Sequence, residues 1–316
     1  MNIVEGRFPD PVEFPRDMDV VLKGLRAARS DWRAAHARNA EHGVYFPSSQ
    51  ALKRLMKEIC AALFPLRLGP PELTTANEYG YVGAMLETTL DQLGAQIILE
   101  LRLTHEADDE RTVALAADRI IAAFAASLPA IRRLLDTDVE AGYRKDPAAR
   151  SVDEILLCYP SLLAVIHHRI AHRLHELGAP IVARTIAAIA HRQTGIDIHP
   201  GAAIGRSVFI DHGTGLVIGE TALVGDRVHL HQGVTLGGDA DNLNATAPAT
   251  VPARRHPKIG DDVVIFAGAA IIGPVTVGAR SRIEGNIWLS QDVPPDSLVS
   301  APAPRITSHP DGISFP

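Results

Sequence analysis

Aliphatic residues recur every six positions through the C-terminal third of this 316-residue chain, and few folds tolerate such a beat. One register reads Ile198, Ile204, Ile210 and Leu216; after a two-residue slip it continues as Ile218, Val224, Leu230 and Leu236. It resumes at Ile259 and runs through Ile265, Ile271, Val277, Ile283 and Leu289. Small or β-branched residues stand four places after the beat, as at Ala202, Val208, Ala222 and Val263, and glycine often follows it directly, as in Ile204-Gly205 and Ile218-Gly219. An α-helix needs apolar recurrence near 3.6 residues and a half-buried strand near 2, so a period of six suits neither element alone. It suits a coil with three short flat faces, each turning one aliphatic side chain inward: the hexapeptide repeat of a parallel β-helix.

Upstream the pattern changes. Residues 17–38, 48–64, 72–102 and 111–136 carry apolar residues at helical spacing, separated by Pro47, Pro65, Pro70-Pro71 and Pro147. Ser151-Val-Asp-Glu154 resembles a capping box that opens a helix running to Gly178, which Pro160 should kink or break. The expected organisation is a helical domain over residues 1–193, a β-helix over 194–295, and a Pro/Ser-containing tail over 296–316. Residues 239–258 have no period and are rich in Asp, Asn, Thr and Pro, so they should leave the coil stack as a loop, a candidate lid.

Composition narrows the function. A chain of this length with 46% hydrophobic residues can support two cores. A net charge of -6 without a dense Lys/Arg cluster argues against nucleic acid, which demands a basic face. Only Cys60 and Cys158 are present, too few for a disulfide framework, and the first residues lack a secretory pattern, so a cytoplasmic location is expected. Residues 263–279 are nearly all apolar, but Gly268, Gly273, Pro274 and Gly278 keep them in the six-residue beat, and no membrane segment is expected.

Within the coils the ionisable residues cluster: Asp197, His199, Asp211, His212, His229 and His231, then Arg255 and His256 at the end of the loop. With coils of roughly eighteen residues stacked about 4.8 Å apart, Asp197 and Asp211-His212 are expected one rung apart near one edge. An aspartate beside a histidine fixes one imidazole tautomer and supports the cation formed when the ring takes a proton.

Several stretches then carry a resemblance. Asp197-Ile-His-Pro200, Ile210-Asp-His-Gly-Thr-Gly215, Val217-Ile-Gly-Glu-Thr-Ala222, Gln232-Gly-Val-Thr-Leu-Gly-Gly238 and Arg255-His-Pro-Lys-Ile259 are similar, in order and wording, to those of serine O-acetyltransferases. Asp146-Pro-Ala-Ala149, Tyr159 and Arg169-Ile-Ala-His172 resemble the end of that family's helical domain, and the likeness covers roughly residues 145–305. It implies a left-handed β-helix and transfer of an acetyl group from acetyl-CoA to the hydroxyl of L-serine, giving O-acetylserine for cysteine biosynthesis. It further implies His212 as general base with Asp197 orienting it, Asp146 and Asp211 for the substrate ammonium, and Arg255 and His256 for its carboxylate. Acetyl-CoA would lie along Gly237, Gly238, Ala267, Gly268 and Gly285, with Arg282 near its phosphates. No Cys or Ser stands in a nucleophile setting beside His212, so direct transfer is expected. A homotrimer or a dimer of trimers would cover the flat coil faces.

Three departures mark a divergent branch. The loop after Gly238 is long, the first 140 residues do not match, and the last coil reads Ile283-Glu-Gly-Asn-Ile-Trp-Leu289 in place of the family's commoner wording; separately, the tail reads Asp311-Gly-Ile313 followed by Ser-Phe-Pro316. The family's tail often ends in an isoleucine that docks into the sulfhydrylase making cysteine, so this ending puts that complex in doubt. Competing readings are an acyltransferase for homoserine or an amino sugar, a β-helix metalloenzyme of the γ-carbonic anhydrase kind, and a non-catalytic trimer scaffold. The metalloenzyme places two zinc-binding histidines five apart on a coil, and the coil histidines have no such pair, so no metal is expected.

Overall fold

The computed structural model describes residues 18–35, 46–104, 109–238 and 254–302. The chain divides into two compact units, Met1–Tyr45 and Phe46–Pro316. In the first, α1 (Met18–Ala35) is an amphipathic helix with every residue exposed.

The second unit begins with a helical bundle. α2 (Ser49–Leu63), α3 (Pro65–Leu68), α4 (Glu78–Thr104) and α5 (Glu110–Lys145) precede α6 (Val152–Cys158), α7 (Pro160–Glu176) and α8 (Pro180–Thr194). The Ser48, Asp109 and Ser151 side chains accept backbone N–H groups of α2, α5 and α6, satisfying donors that a helix start leaves without partners. Pro160 breaks the expected 151–178 helix outright: α6 stops at Cys158 and the proline takes the first position of α7, where its missing N–H is harmless. α5 is long and apolar enough to cross a bilayer by length and composition. It packs against α4, α7 and the first coil, burying Phe124, Leu128, Ile131 and Leu135.

Gly195 caps α8 in the left-handed conformation (φ 70°) and turns the chain into the coils. Among the described residues fourteen short strands follow: β1 (Asp197–Ile198), β2 (Ala203–Ile204), β3 (Phe209–Ile210), β4 (Val217–Ile218), β5 (Leu223–Val224), β6 (His229–Leu230), β7 (Thr235–Gly237), β8 (Lys258–Ile259), β9 (Val264–Ile265), β10 (Ala270–Ile272), β11 (Thr276–Val277), β12 (Arg282–Ile283), β13 (Trp288–Leu289) and β14 (Leu298–Val299). They form three parallel sheets, one per face of the prism: β1-β4-β7-β10-β13, β2-β5-β8-β11 and β3-β6-β9-β12-β14. The fold is thus the helical domain and left-handed β-helix expected from the beat and the resemblance. The beat residues form the axial core, with Leu216, Leu230, Leu236, Ile265, Ile271, Val277 and Ile283 fully buried. Each such side chain contributes about 1.5–3 kcal/mol of hydrophobic stabilisation.

Two differences from the sequence reading bear on function. The first coil is longer than the second: Asp197 pairs with Val217, 20 positions on, whereas Val217 pairs with Thr235, 18 positions on. The extra pair of residues lies in the turn between β3 and β4, which holds Asp211 and His212. The coil stack also continues past Leu289, because Val293 bridges Val277 and β14 pairs with β12 inside the segment read as tail. Most of the candidate lid and the remainder of the tail, residues 239–253 and 303–316, lie outside the described residues. Pairing of Thr235 with Ala270, 35 positions on, accommodates the loop without a break in the face.

A buried ion pair locks the bundle to the first coil. Arg169 on α7 donates to the Asp138 carboxylate on α5 at 3.0 Å and to the carbonyls of Ile204 and Gly205. Asp138 also accepts the Val208 backbone N–H at 3.0 Å. His172 adds a bond from Nδ1 to the Pro200 carbonyl at 2.7 Å. With Arg169 and Asp138 bonded both to each other and to the coil backbone, the pair sets the end of α5, and with it Asp146, against the coil edge.

Candidate active site

The sequence-expected residues gather in two groups at opposite ends of one face, the one built from β1, β4, β7, β10 and β13. The first surrounds the long turn from β3 to β4. His212 sits there with φ 54°, a conformation that costs a non-glycine residue energy, and its side chain is 76% exposed. Its Nε2 lies 3.7 Å from Asp211 Oδ1. The other Asp211 oxygen lies 3.3 Å from Nδ1 of His231 and 3.9 Å from Nε2 of His229. Asp146, at the C-cap of α5, completes the group by accepting the Tyr159 hydroxyl at 2.5 Å and the Ala148 N–H at 2.8 Å. These two bonds, that from Tyr159 first, hold the Asp146 carboxyl below its usual range. The same bond pushes Tyr159 up to about 12. Burial lowers His229 to about 4 and lowers His231, so both rings are neutral at pH 7.

The second group lies where that face turns onto the next. A hollow of about 510 Å³ is lined there by Arg184, Asp197, His199, Glu220, Arg255 and His256, among others. Arg255 Nη2 donates to Glu220 at 2.5 Å, which aims the guanidinium. Thr221 ties the segment down: its hydroxyl oxygen accepts the backbone N–H groups of Arg255 and His256 at 2.9 and 3.1 Å. The Thr221 backbone N–H donates to Nδ1 of His256 at 3.1 Å, so the neutral ring carries its proton on Nε2. Burial first, and Arg255 second, lowers the His256 pKa and keeps that ring neutral. Gly219 is required here, because a Cβ would stand 2.0 Å from the His256 ring.

The expected neighbours share an edge without touching. The 211–216 turn stacks on residues 195–197, with the Gly215 N–H donating to the Gly195 carbonyl at 2.8 Å and the Asp197 N–H to the Leu216 carbonyl at 2.9 Å, while the β3–β6 register brings Asp211 beside His231. Among the described residues no hydrogen bond or ion pair joins Asp197 to His212; the nearest charge partner of Asp197 is His191, at 3.9 Å. The residues expected to meet acetyl-CoA are likewise divided. Gly238 lies against Arg255 and His256, and Gly237 ends β7. Ala267, Gly268 and Gly285 stack at the first group's end of the face, and Arg282 lies over the Phe266 ring at 5.1 Å. Gly268 has φ +72°, and a Cβ there would meet the Asn286 side chain at 2.4 Å.

Sequence reasoning assigned no role to Glu220, Thr221, Arg184 or His191. Glu220 and Thr221 stood in a quoted motif; Arg184 and His191 are on α8, outside the six-residue beat, where nothing singled them out.

No family model matches the chain. It is 45% identical over 288 residues to a plasmid serine acetyltransferase from Synechococcus elongatus, covering 90% of each protein. Its fold is similar to serine acetyltransferase isoform 3 from Entamoeba histolytica in complex with cysteine, with a TM-score of 0.65, 32% identity, and coverage of 83% of this chain and 84% of that one. It is also similar to the Brucella abortus serine acetyltransferase in complex with coenzyme A, with a TM-score of 0.51, 29% identity, and coverage of 79% and 94%.

Proposed function

The chain belongs to the serine acetyltransferase family, and we propose that it performs that reaction with His212 as general base, in a site shared between two copies of the chain. It is an acyltransferase that uses acetyl-CoA to acetylate the hydroxyl of L-serine, a step of cysteine biosynthesis. The observation that carries the role of His212 is its exposed ring, held in a left-handed turn beside Asp211 and near Asp146. Two carboxylates next to an imidazole favour the cation that forms when it takes a proton from the substrate hydroxyl. The alkoxide so generated attacks the thioester carbonyl, and the proton on His212 then serves the departing thiolate of coenzyme A. Cys60 offers no competing nucleophile, since burial pushes its thiol up to about 12.

The charge arrangement supports the shared site. Serine carries its ammonium and carboxylate on one carbon, so its anionic and cationic partners must stand within a few ångströms of each other. Asp146 and Asp211 suit the ammonium, and Arg255 with the Nε2–H of His256 suits the carboxylate. Within one chain these pairs occupy opposite ends of a coil face, about one hexad apart, beyond the reach of one amino acid. A neighbouring copy that presents its Arg255 end to the His212 end of the first closes the gap, as in the closed rings of a cyclic homo-oligomer. Asp197 of the neighbour then comes to His212, which reconciles the expected pair with its separation in one chain. The split acetyl-CoA residues follow the same logic. The free thiols Cys60 and Cys158 suit a reducing cytoplasm. A free-thiol assay with acetyl-CoA against serine, homoserine, threonine and amino sugars tests the acceptor: serine should be preferred, and release with homoserine or a sugar alone would reassign it.

A further inference from the structure

The first group contains a cluster that the transfer reaction does not require in full. We infer that Asp211, His229 and His231 form a binding site for a divalent transition metal such as zinc, and that occupancy blocks serine from the adjacent base. The one ligand atom that each residue offers lies within 4.8 Å of the other two. Bonds of about 2.0–2.1 Å at tetrahedral angles put zinc ligands about 3.3 Å apart. Of the contacts from Asp211 Oδ2, that to His231 Nδ1 already has this spacing at 3.3 Å, and that to His229 Nε2 exceeds it at 3.9 Å, so the His229 ring must move in to close the site.

The strand geometry builds this cluster. His229 and His231 are two apart on the β6 edge, so the period of a strand turns both rings to the same outer side. The β3–β6 register then sets Asp211 next to His231 from the preceding rung. A search for histidines five apart passes over such a trio, because one ligand comes from 20 positions upstream. The rings are held in place: Phe209 packs on His229 at 4.9 Å between centroids, His229 stacks on His231 at 4.4 Å, and His231 stacks on Phe266 at 5.0 Å. His229 Nε2 is buried with no hydrogen-bond partner although it faces a carboxylate oxygen. Two imidazoles with one carboxylate favour zinc, cobalt or nickel over magnesium or calcium.

His212 Nε2 lies 3.7 Å from the other oxygen of the same Asp211 carboxylate, so a metal on the trio faces the proposed base and takes the carboxylate assigned to the serine ammonium. The inhibitory half of this inference rests on those proposed roles; the metal site itself does not.

Equilibrium dialysis of the full, untagged chain against zinc, with no substrate present, reads the site directly. The wild type should bind one zinc per chain, His199→Gln should match it, and His229→Gln/His231→Gln should lose more than about tenfold in affinity. Absence of bound zinc in the wild type, or equal binding by the double variant, would overturn the site. If that variant does not fold, proton NMR of the wild-type imidazoles decides: zinc should shift the His229 and His231 ring resonances, and unchanged resonances overturn the assignment. Zinc should separately raise the Michaelis constant for serine in the wild type. Zinc that binds the trio without doing so overturns the blockade alone, and a chain without serine transfer leaves the dialysis result intact.

Discussion

The Asp211 carboxylate stands 3.7 Å from Nε2 of His212 through one oxygen and 3.3 Å from Nδ1 of His231 through the other. One acid thus serves an exposed imidazole and a half-buried one. The exposed ring is free to meet a substrate, whereas burial and the Phe266 stack hold the other in place. His212→Asn should therefore lower kcat for acetyl transfer by about 10²–10⁴-fold, the usual worth of a general base, with little change in either Michaelis constant. Steady-state kinetics at pH 7.5, with the oligomer checked by light scattering, reads this. Near-normal turnover would remove His212 from the reaction.

Arg255 separates the two substrates. Removing one partner of a charge-assisted hydrogen bond costs about 1.5–3 kcal/mol, which is roughly ten- to hundredfold in affinity. Arg255→Ala should raise the Michaelis constant for serine by that factor and leave the acetyl-CoA constant nearly unmoved. Glu220→Gln should act in the same direction but more weakly, because Glu220 aims the guanidinium without meeting the substrate. A rise in the acetyl-CoA constant alone would mean that Arg255 holds the coenzyme.

The beat made the β-helix legible because a fixed inward period leaves no other element type, and the motif wording marked the acids and histidines. Two things escaped it. The partners that orient Arg255 and His256, Glu220 and Thr221, act through hydrogen bonds that no spacing encodes. The missing contact between Asp197 and His212 within one chain also escaped it: the turn that carries His212 stacks on residues 195–197, but no hydrogen bond joins the two side chains, and no spacing encodes that. The irregularity in the repeat was itself the marker of the site. Pro160 shows the opposite case, where a local rule sufficed: a proline inside a helical run ended one helix and started the next.

Acid sensitivity follows from the buried imidazoles. Burial holds His199 and His229 near 4, below the value of about 6.5 that each regains on unfolding. Between those values the unfolded chain binds more protons than the folded one, so stability falls as pH drops from about 6.5 towards 4 and is flat above that window. Melting temperatures measured from pH 7.5 to 5 should decline, and His229→Gln should flatten part of that decline. An unchanged slope in this variant would mean that His229 is not held neutral in the fold.

The claim that two copies build each site has a direct measurement in complementation. His212→Asn and Arg255→Ala chains, each prepared alone, should have turnover far below wild type at a serine concentration near the wild-type Michaelis constant. Co-expressed and randomly assorted in a closed ring, they should place an intact His212 end against an intact Arg255 end in about a quarter of the interfaces. Turnover of the mixed oligomer should recover to about that fraction of wild type. Activity no higher than the average of the two separate variants would contradict the shared site and return His212 and Arg255 to a single chain.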